Sequence, residues 1–281
     1  MEQNPSGHST FMFNVHQVLH HIMFDLPYLE VCAEMFERKF KNRVLLRLDI
    51  PHKKYINVSI TELTDSLIGN DLKKVWREGL SLCFQFRNHA VLEMCLSASA
   101  ELFVVTLDQE DKAGLMDLYF SGGQILSVKD TQHLCKFRLN PIHTAVPDVL
   151  SKEITVEYLV DLFANRAEEI KCVLVDQKLI RGIGEAYADE ILWYAEISPF
   201  SIAGKIPLDS IKVLHKTIKY VLLDAIKEAR KITSLKFSKV GADLLIIHNP
   251  GKKNSPTGWT IKLKVISGIK TYYTDEQHLY M

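Results

Sequence analysis

Along the 281 residues of the chain, the spacing of apolar positions changes character near residue 140. Before that point, short apolar or alternating runs recur at 43–49, 55–59, 80–86, 90–96, 102–107 and 117–120. A period of two marks a half-buried strand, and the Gly, Asn and Asp between the runs are turn formers. Several such strands predict a sandwich or a flattened barrel. A helix is expected over 61–67. Beyond a Pro- and Asn-containing linker at 140–151, the spacing becomes helical at 155–163, 167–175, 185–195 and 211–226, with Thr155 as an N-cap and Pro207 and Asp209 as start signals.

Between two of these helices lies Gly182-Ile183-Gly184, with 176–180 read as the end of the preceding helix. Two glycines two apart allow a tight turn and close approach of another molecule, and the first amides of the next helix have no intrahelical partners. With the positive end of the helix dipole they form an anion site, for which phosphate is the usual biological occupant. A plain helix–helix turn is the competing reading. Glu185 follows the turn, where the dipole stabilises a carboxylate and where that carboxylate would itself occupy the anion site.

Composition changes this picture in three ways. Lys plus Arg and Asp plus Glu are equal at 34 each, and the pI near 7.2 counts against avid DNA binding, although from Lys231 onward there are eight Lys and three acidic residues. The five cysteines are odd in number and lie in apolar stretches, as expected of buried, reduced thiols in a cytoplasmic protein. No run reaches the roughly 18 to 20 apolar residues of a membrane span, and no signal peptide is read at the start. His16, His20 and His21 fall on one helix face, but without Cys or acidic partners they are read as part of a packed or solvated extension.

The stretch DQKLIRGIGEAYADEILWYAEISPF, residues 176–200, resembles the helix-two-turns-helix motif of the formamidopyrimidine-DNA glycosylase and endonuclease VIII family. The resemblance covers about residues 24–277. It implies an α+β fold: an N-terminal antiparallel β-sandwich flanked by helices, then a helical helix-two-turns-helix domain ending in a zincless β-hairpin finger. The implied boundaries are an extension at 1–23, a sandwich domain at 24–140, a helical domain at 141–232 and the hairpin at 233–281. In the family the turn grips backbone phosphate around a flipped-out damaged nucleotide. That implies damaged duplex DNA as the partner, with Lys171, Lys178, Arg181, Gly182, Gly184 and Lys270 as DNA-binding residues.

The same resemblance marks departures. Residues 24–31 resemble the family's opening, whose first proline attacks the sugar through its secondary amine. Here that position is Phe24, whose peptide nitrogen has no available lone pair. Asp25 matches the neighbouring acid–base glutamate and is the one candidate catalytic residue. Leu80 replaces a lysine that holds lesion and phosphate, Ala98 the wedge methionine, Gln124 and Leu126 an arginine and an aromatic wedge, and Glu185 an asparagine. The cysteine positions of the finger hold Asn254, Thr257, Thr274 and Gln277, so no metal and no cofactor is expected. The phosphate-clamping arginine aligns with Ile269, one position from Lys270. Three readings stay open: a damaged-DNA binder without Schiff-base lyase chemistry, a hydrolytic base-excision enzyme using Asp25 or another carboxylate, and a protein-interaction scaffold without nucleic acid.

Overall fold

The computed structural model describes residues 25–107, 114–142, 144–233 and 244–281. His16, His20, His21 and Phe24 lie outside them. The first element is α1, Leu26–Phe40, N-capped by Asp25, with Pro27 in the first turn, where its missing N–H is no loss. Leu29, Cys32, Phe36 and Phe40 recur at helical spacing and are buried. Eight strands follow: β1 (Leu45–Asp49), β2 (Leu72–Glu78), β3 (Ser81–Phe86), β4 (Val91–Cys95), β5 (Ala100–Thr106), β6 (Met116–Phe120), β7 (Gln124–Asp130) and β8 (Lys136–Leu139).

They form two antiparallel four-stranded sheets, ordered β1-β6-β7-β5 and β2-β3-β4-β8. Helix α1 ties both sheets to one core: Phe40 stacks on Phe120 of β6 at 4.5 Å between ring centroids, and Phe36 meets Phe84 of β3 at 6.1 Å. The strand expected at 55–59 does not form. Lys53–Tyr55 is a 3-10 turn whose Tyr55 ring enters the core, and Ser59 caps the helix α2, Ile60–Leu67, by accepting from Glu62 N at 3.0 Å. Strands β2 and β7 carry little alternation, since β2 buries Leu72 and Val75 three apart and β7 is mostly buried on both faces.

The helical part comprises α3 (Val156–Phe163), α4 (Ile170–Val175), α5 (Glu185–Tyr194) and α6 (Leu208–Thr233). Thr155 caps α3 by accepting from Tyr158 N at 3.1 Å. Helix α4 stops at Val175 rather than at residue 180, because the Asp176 side chain accepts from Lys178 N at 2.9 Å and offers the backbone a turn instead. The chain ends in the hairpin β9 (Lys262–Ile266) and β10 (Ile269–Tyr273). Its two-residue turn, Ser267 at φ +49° and Gly268 at φ +85°, has the left-handed backbone that matches strand twist. Among the described residues no helix is long and apolar enough to cross a membrane.

Sandwich and helices are joined by buried charge. Arg77 of β2 forms a bidentate pair with Asp148 at 2.6 and 2.9 Å and donates to Glu30 at 2.7 Å. Asp148 also accepts from Gly79 N and Leu150 N. Burial pushes the Asp148 carboxyl up, but the Arg77 guanidinium outweighs this and holds it below the ordinary carboxylate range. Removing Asp148 leaves the buried Arg77 with Glu30 as its one remaining carboxylate among the described residues and strips the acceptor from two backbone amides. Asp148→Ala is therefore expected to cost about 3 kcal/mol of unfolding free energy, measured by urea denaturation.

Candidate functional site

The start of α5 is built by backbone geometry. Gly182 sits at φ +102°, and a Cβ there would meet Leu26 and Val149 side chains at 3.0 and 3.2 Å. Gln177 clips the turn shut, accepting from Gly182 N and donating to Ile183 O, both at 2.9 Å. Gly184 is the N-cap of α5, and a Cβ there would lie 2.5 and 2.6 Å from the two carboxylate oxygens of Asp25. Glycine at 184 is needed for that close approach.

Asp25 accepts from Leu26 N at 2.9 Å, Gly184 N at 3.1 Å and Tyr187 N at 3.4 Å, so one carboxylate caps both α1 and α5. It is 3% exposed. Burial pushes its pKa up to about 6, against the opposing pull of these amides and of a positive charge on His248. Glu185 is exposed and does not fill the helix end as expected; Asp25 does, because it reaches that end from inside the core. The amides of Glu185 and Ala186 have no partner among the described residues.

The basic residues expected to face DNA divide in two. Lys171 is fully buried: its Nζ donates to Asp189 Oδ1 and to the Lys270 carbonyl, both at 2.6 Å, stitching α4 to α5 and β10. Burial outweighs the pull of Asp189 and holds its pKa below that of an ordinary lysine. Arg181 is likewise turned inward, onto Glu78 at 2.7 Å and the Val146 carbonyl at 2.7 Å. Lys171 is thus a fully buried structural cation, and Arg181 is a partly buried one paired to Glu78. Lys178 and the Lys270 side chain are exposed.

Asp189 uses its second oxygen to accept from Tyr272 N at 2.8 Å and to pair with His248 Nδ1 at 2.7 Å. Sequence reasoning missed this arrangement. Asp189 reads as one more residue of a helix, and nothing in the string of residues pairs it with His248. Leu126, matched to a wedge, is fully buried within β7, and Leu80 packs against the core, whereas Ala98 is exposed.

At the hairpin, Glu276 gathers Trp193 Nε1 at 2.7 Å, Thr257 Oγ1 at 2.6 Å, Thr274 Oγ1 at 2.9 Å and Ser255 Oγ at 3.2 Å. Gln277 accepts from Thr274 N and donates to the Ile197 carbonyl, both at 2.9 Å. Thr257, Thr274 and Gln277, three of the positions matched to cysteines, thus belong to a hydrogen-bonded knot. Lys252, Lys262 and Lys264 are engaged by the Leu245 carbonyl, by Asp275 and by the Phe200 and Tyr273 rings. Lys253 and Lys270 have no ion-pair partner among the described residues.

Two outcomes follow from this geometry. The folded protein binds the Asp25 proton more tightly than the unfolded chain, so the stability associated with protonated Asp25 is full below pH 3.8 and is lost as pH rises through about 6. Asp25→Asn is expected to flatten that decline by up to about 3 kcal/mol, measured as urea unfolding free energy at pH 4 and pH 7. Glu276→Ala is expected to cost about 2 kcal/mol through lost charge-assisted hydrogen bonds, whereas a chelator leaves the thermal midpoint unchanged; calorimetry reads both.

The family model for the formamidopyrimidine-DNA glycosylase H2TH domain matches residues 145–237. A formamidopyrimidine-DNA glycosylase of Lactobacillus johnsonii is 26% identical over 216 residues, spanning 73% of this chain and 78% of that protein. One from Carboxydothermus hydrogenoformans is 28% identical over 201 residues, spanning 71% and 76%. Among solved structures, the Lactococcus lactis Fpg complex with abasic-site DNA superposes with a TM-score of 0.78 at 21% identity, covering 89% of this chain and 97% of that one. MutM in complex with DNA containing carbocyclic 8-oxo-G gives 0.79 at 22%, covering 90% and 99%. These likenesses join a two-sheet sandwich, a glycine turn opening α5 and a terminal hairpin in one chain, which carries an H2TH domain and is similar along most of its length to formamidopyrimidine-DNA glycosylases.

Proposed function

We propose that this protein binds damaged duplex DNA as a repair-glycosylase-like protein and lacks the Schiff-base lyase step. The observation that carries the reading is the start of α5, where a Gly-Ile-Gly turn leaves the amide of the exposed Glu185 without a partner among the described residues, at the positive end of the helix. Lys178, in the preceding turn, and Lys270, on the hairpin stitched to α5 through Lys171, supply exposed positive charge beside it. The solved relatives hold DNA containing an abasic site or 8-oxo-G, which supports the same partner here.

The lyase step needs an amine with a free lone pair. Phe24 offers only a peptide nitrogen, and its neighbour Asp25 has its carboxylate engaged by three backbone amides. The wedge and lesion-lysine positions are apolar or buried at Leu80 and Leu126, so the duplex is held with fewer inserted side chains. Five free thiols fit a reducing, cytoplasmic setting.

The test is a titration against a duplex bearing a tetrahydrofuran abasic-site analogue and against its undamaged twin, at two salt concentrations. Preference for the analogue is expected, with a log–log salt slope of about −2 to −4, as befits a few phosphate contacts. Lys178→Glu and Lys270→Glu are each expected to weaken binding about tenfold, and borohydride is expected to trap no covalent adduct on a true abasic site. Absence of binding at low salt would defeat this reading and turn the search towards protein partners.

A further inference from the structure

We propose that His248, oriented by Asp189, is a general base that activates water, and that the protein releases damaged bases by hydrolysis instead of through an enzyme amine. The inference rests on the DNA-binding reading above. It starts from how firmly one imidazole is held and how freely its other edge is left.

Asp189 is buried, and all its bonds converge on one purpose. Its Oδ1 takes Lys171 Nζ at 2.6 Å, and its Oδ2 takes Tyr272 N at 2.8 Å and His248 Nδ1 at 2.7 Å. Bonded to a carboxylate through Nδ1, the neutral ring carries its proton there and its lone pair on Nε2. The His248 backbone is fixed as well, since its N–H donates to Glu190 Oε1 at 2.8 Å. The Tyr272 ring walls one side, 4.5 Å away between centroids. Nε2 has no partner among the described residues, and the side chain is 11% exposed, so an edge reaches the surface. One nitrogen of the ring is held and the other presents an acceptor.

Its place is also suited to the task. Asp189 lies one turn beyond the end of α5 that Asp25 caps, and the ionisable groups packed around the ring are Asp189, Lys171, Glu190, Tyr272 and Asp25. Asp25 is the poorer base, with three amides on its oxygens. In the step, Nε2 takes a proton from water as the water oxygen bonds to the anomeric carbon. The bond between that carbon and the base nitrogen breaks, its electron pair leaves with the base, and the base takes up a proton from solvent. His248 then returns its proton to water. No oxidant, reductant or metal is needed.

The experiment uses the full chain in single-turnover assays on duplexes carrying one uracil, dihydrouracil, thymine glycol or 8-oxoguanine, beside binding to the tetrahydrofuran duplex. Release of at least one base without a borohydride adduct is expected, at a rate that rises with pH to a plateau. His248→Gln removes the imidazole while keeping a neutral polar side chain of similar size, and is expected to lower the rate at least about 100-fold and abolish the rising limb. Its binding to the tetrahydrofuran duplex and its thermal midpoint should stay within threefold and about two degrees of the parent. A His248→Gln rate within threefold of the parent would overturn the inference. So would no release from any of the four duplexes while tetrahydrofuran binding persists, an outcome that leaves a binder without chemistry. Loss of binding together with release would defeat both readings.

Discussion

A single carboxylate sets the geometry on which the rest of the structure depends. Asp25 closes the open amides at the starts of α1 and α5 simultaneously, although the two helices begin 159 and more residues apart in the chain. Both helix dipoles point their positive ends at it, which is why a carboxylate tolerates near-complete burial there. The contact is so close that residue 184 can carry no side chain. The glycine turn, which in isolation reads as a cradle for a foreign anion, is therefore partly filled from within, and Glu185 is the exposed residue at its mouth.

The same economy of charge runs through the molecule. Arg77, Arg181 and Lys171 each reach across element boundaries to a carboxylate and, in every case, to a backbone carbonyl as well. Such pairs are weak sources of net stability but strong constraints on arrangement, because every alternative packing strands a charge. The neutral overall charge is thus no guide to the neighbourhood of the glycine turn and the hairpin, where Lys171 and Arg181 are taken by carboxylates and Lys178, Lys253 and Lys270 remain exposed.

Local chemistry was legible in the sequence, and distant pairing was not. Thr155 and the 182–184 turn declared themselves through residue type, and the strand runs through alternation. Tyr55 looked like the start of a strand because an aromatic in an apolar run reads the same whether it pairs along a ladder or plugs a core. Strand β7 hid because burial on both faces erases the period of two. Lys171 and Arg181 looked like DNA contacts because nothing in a string of letters tells that Asp189 and Glu78 will arrive beside them. The position matched to the zinc ligands showed what was missing, and only the fold shows Glu276 standing in its place.

That last substitution changes what the hairpin asks of its surroundings. A finger gathered around a carboxylate contains no thiolate to oxidise, and its hold is made of hydrogen bonds to one side chain. Its vulnerability moves to acid. Burial raises the Glu276 carboxyl, but the hydroxyls of Thr257 and Thr274 and the indole of Trp193 outweigh this and hold it below the usual range. The grip is therefore complete above pH 4.5 and slackens only as pH falls further. The foot of the hairpin is thus held by a bond that proton supply governs.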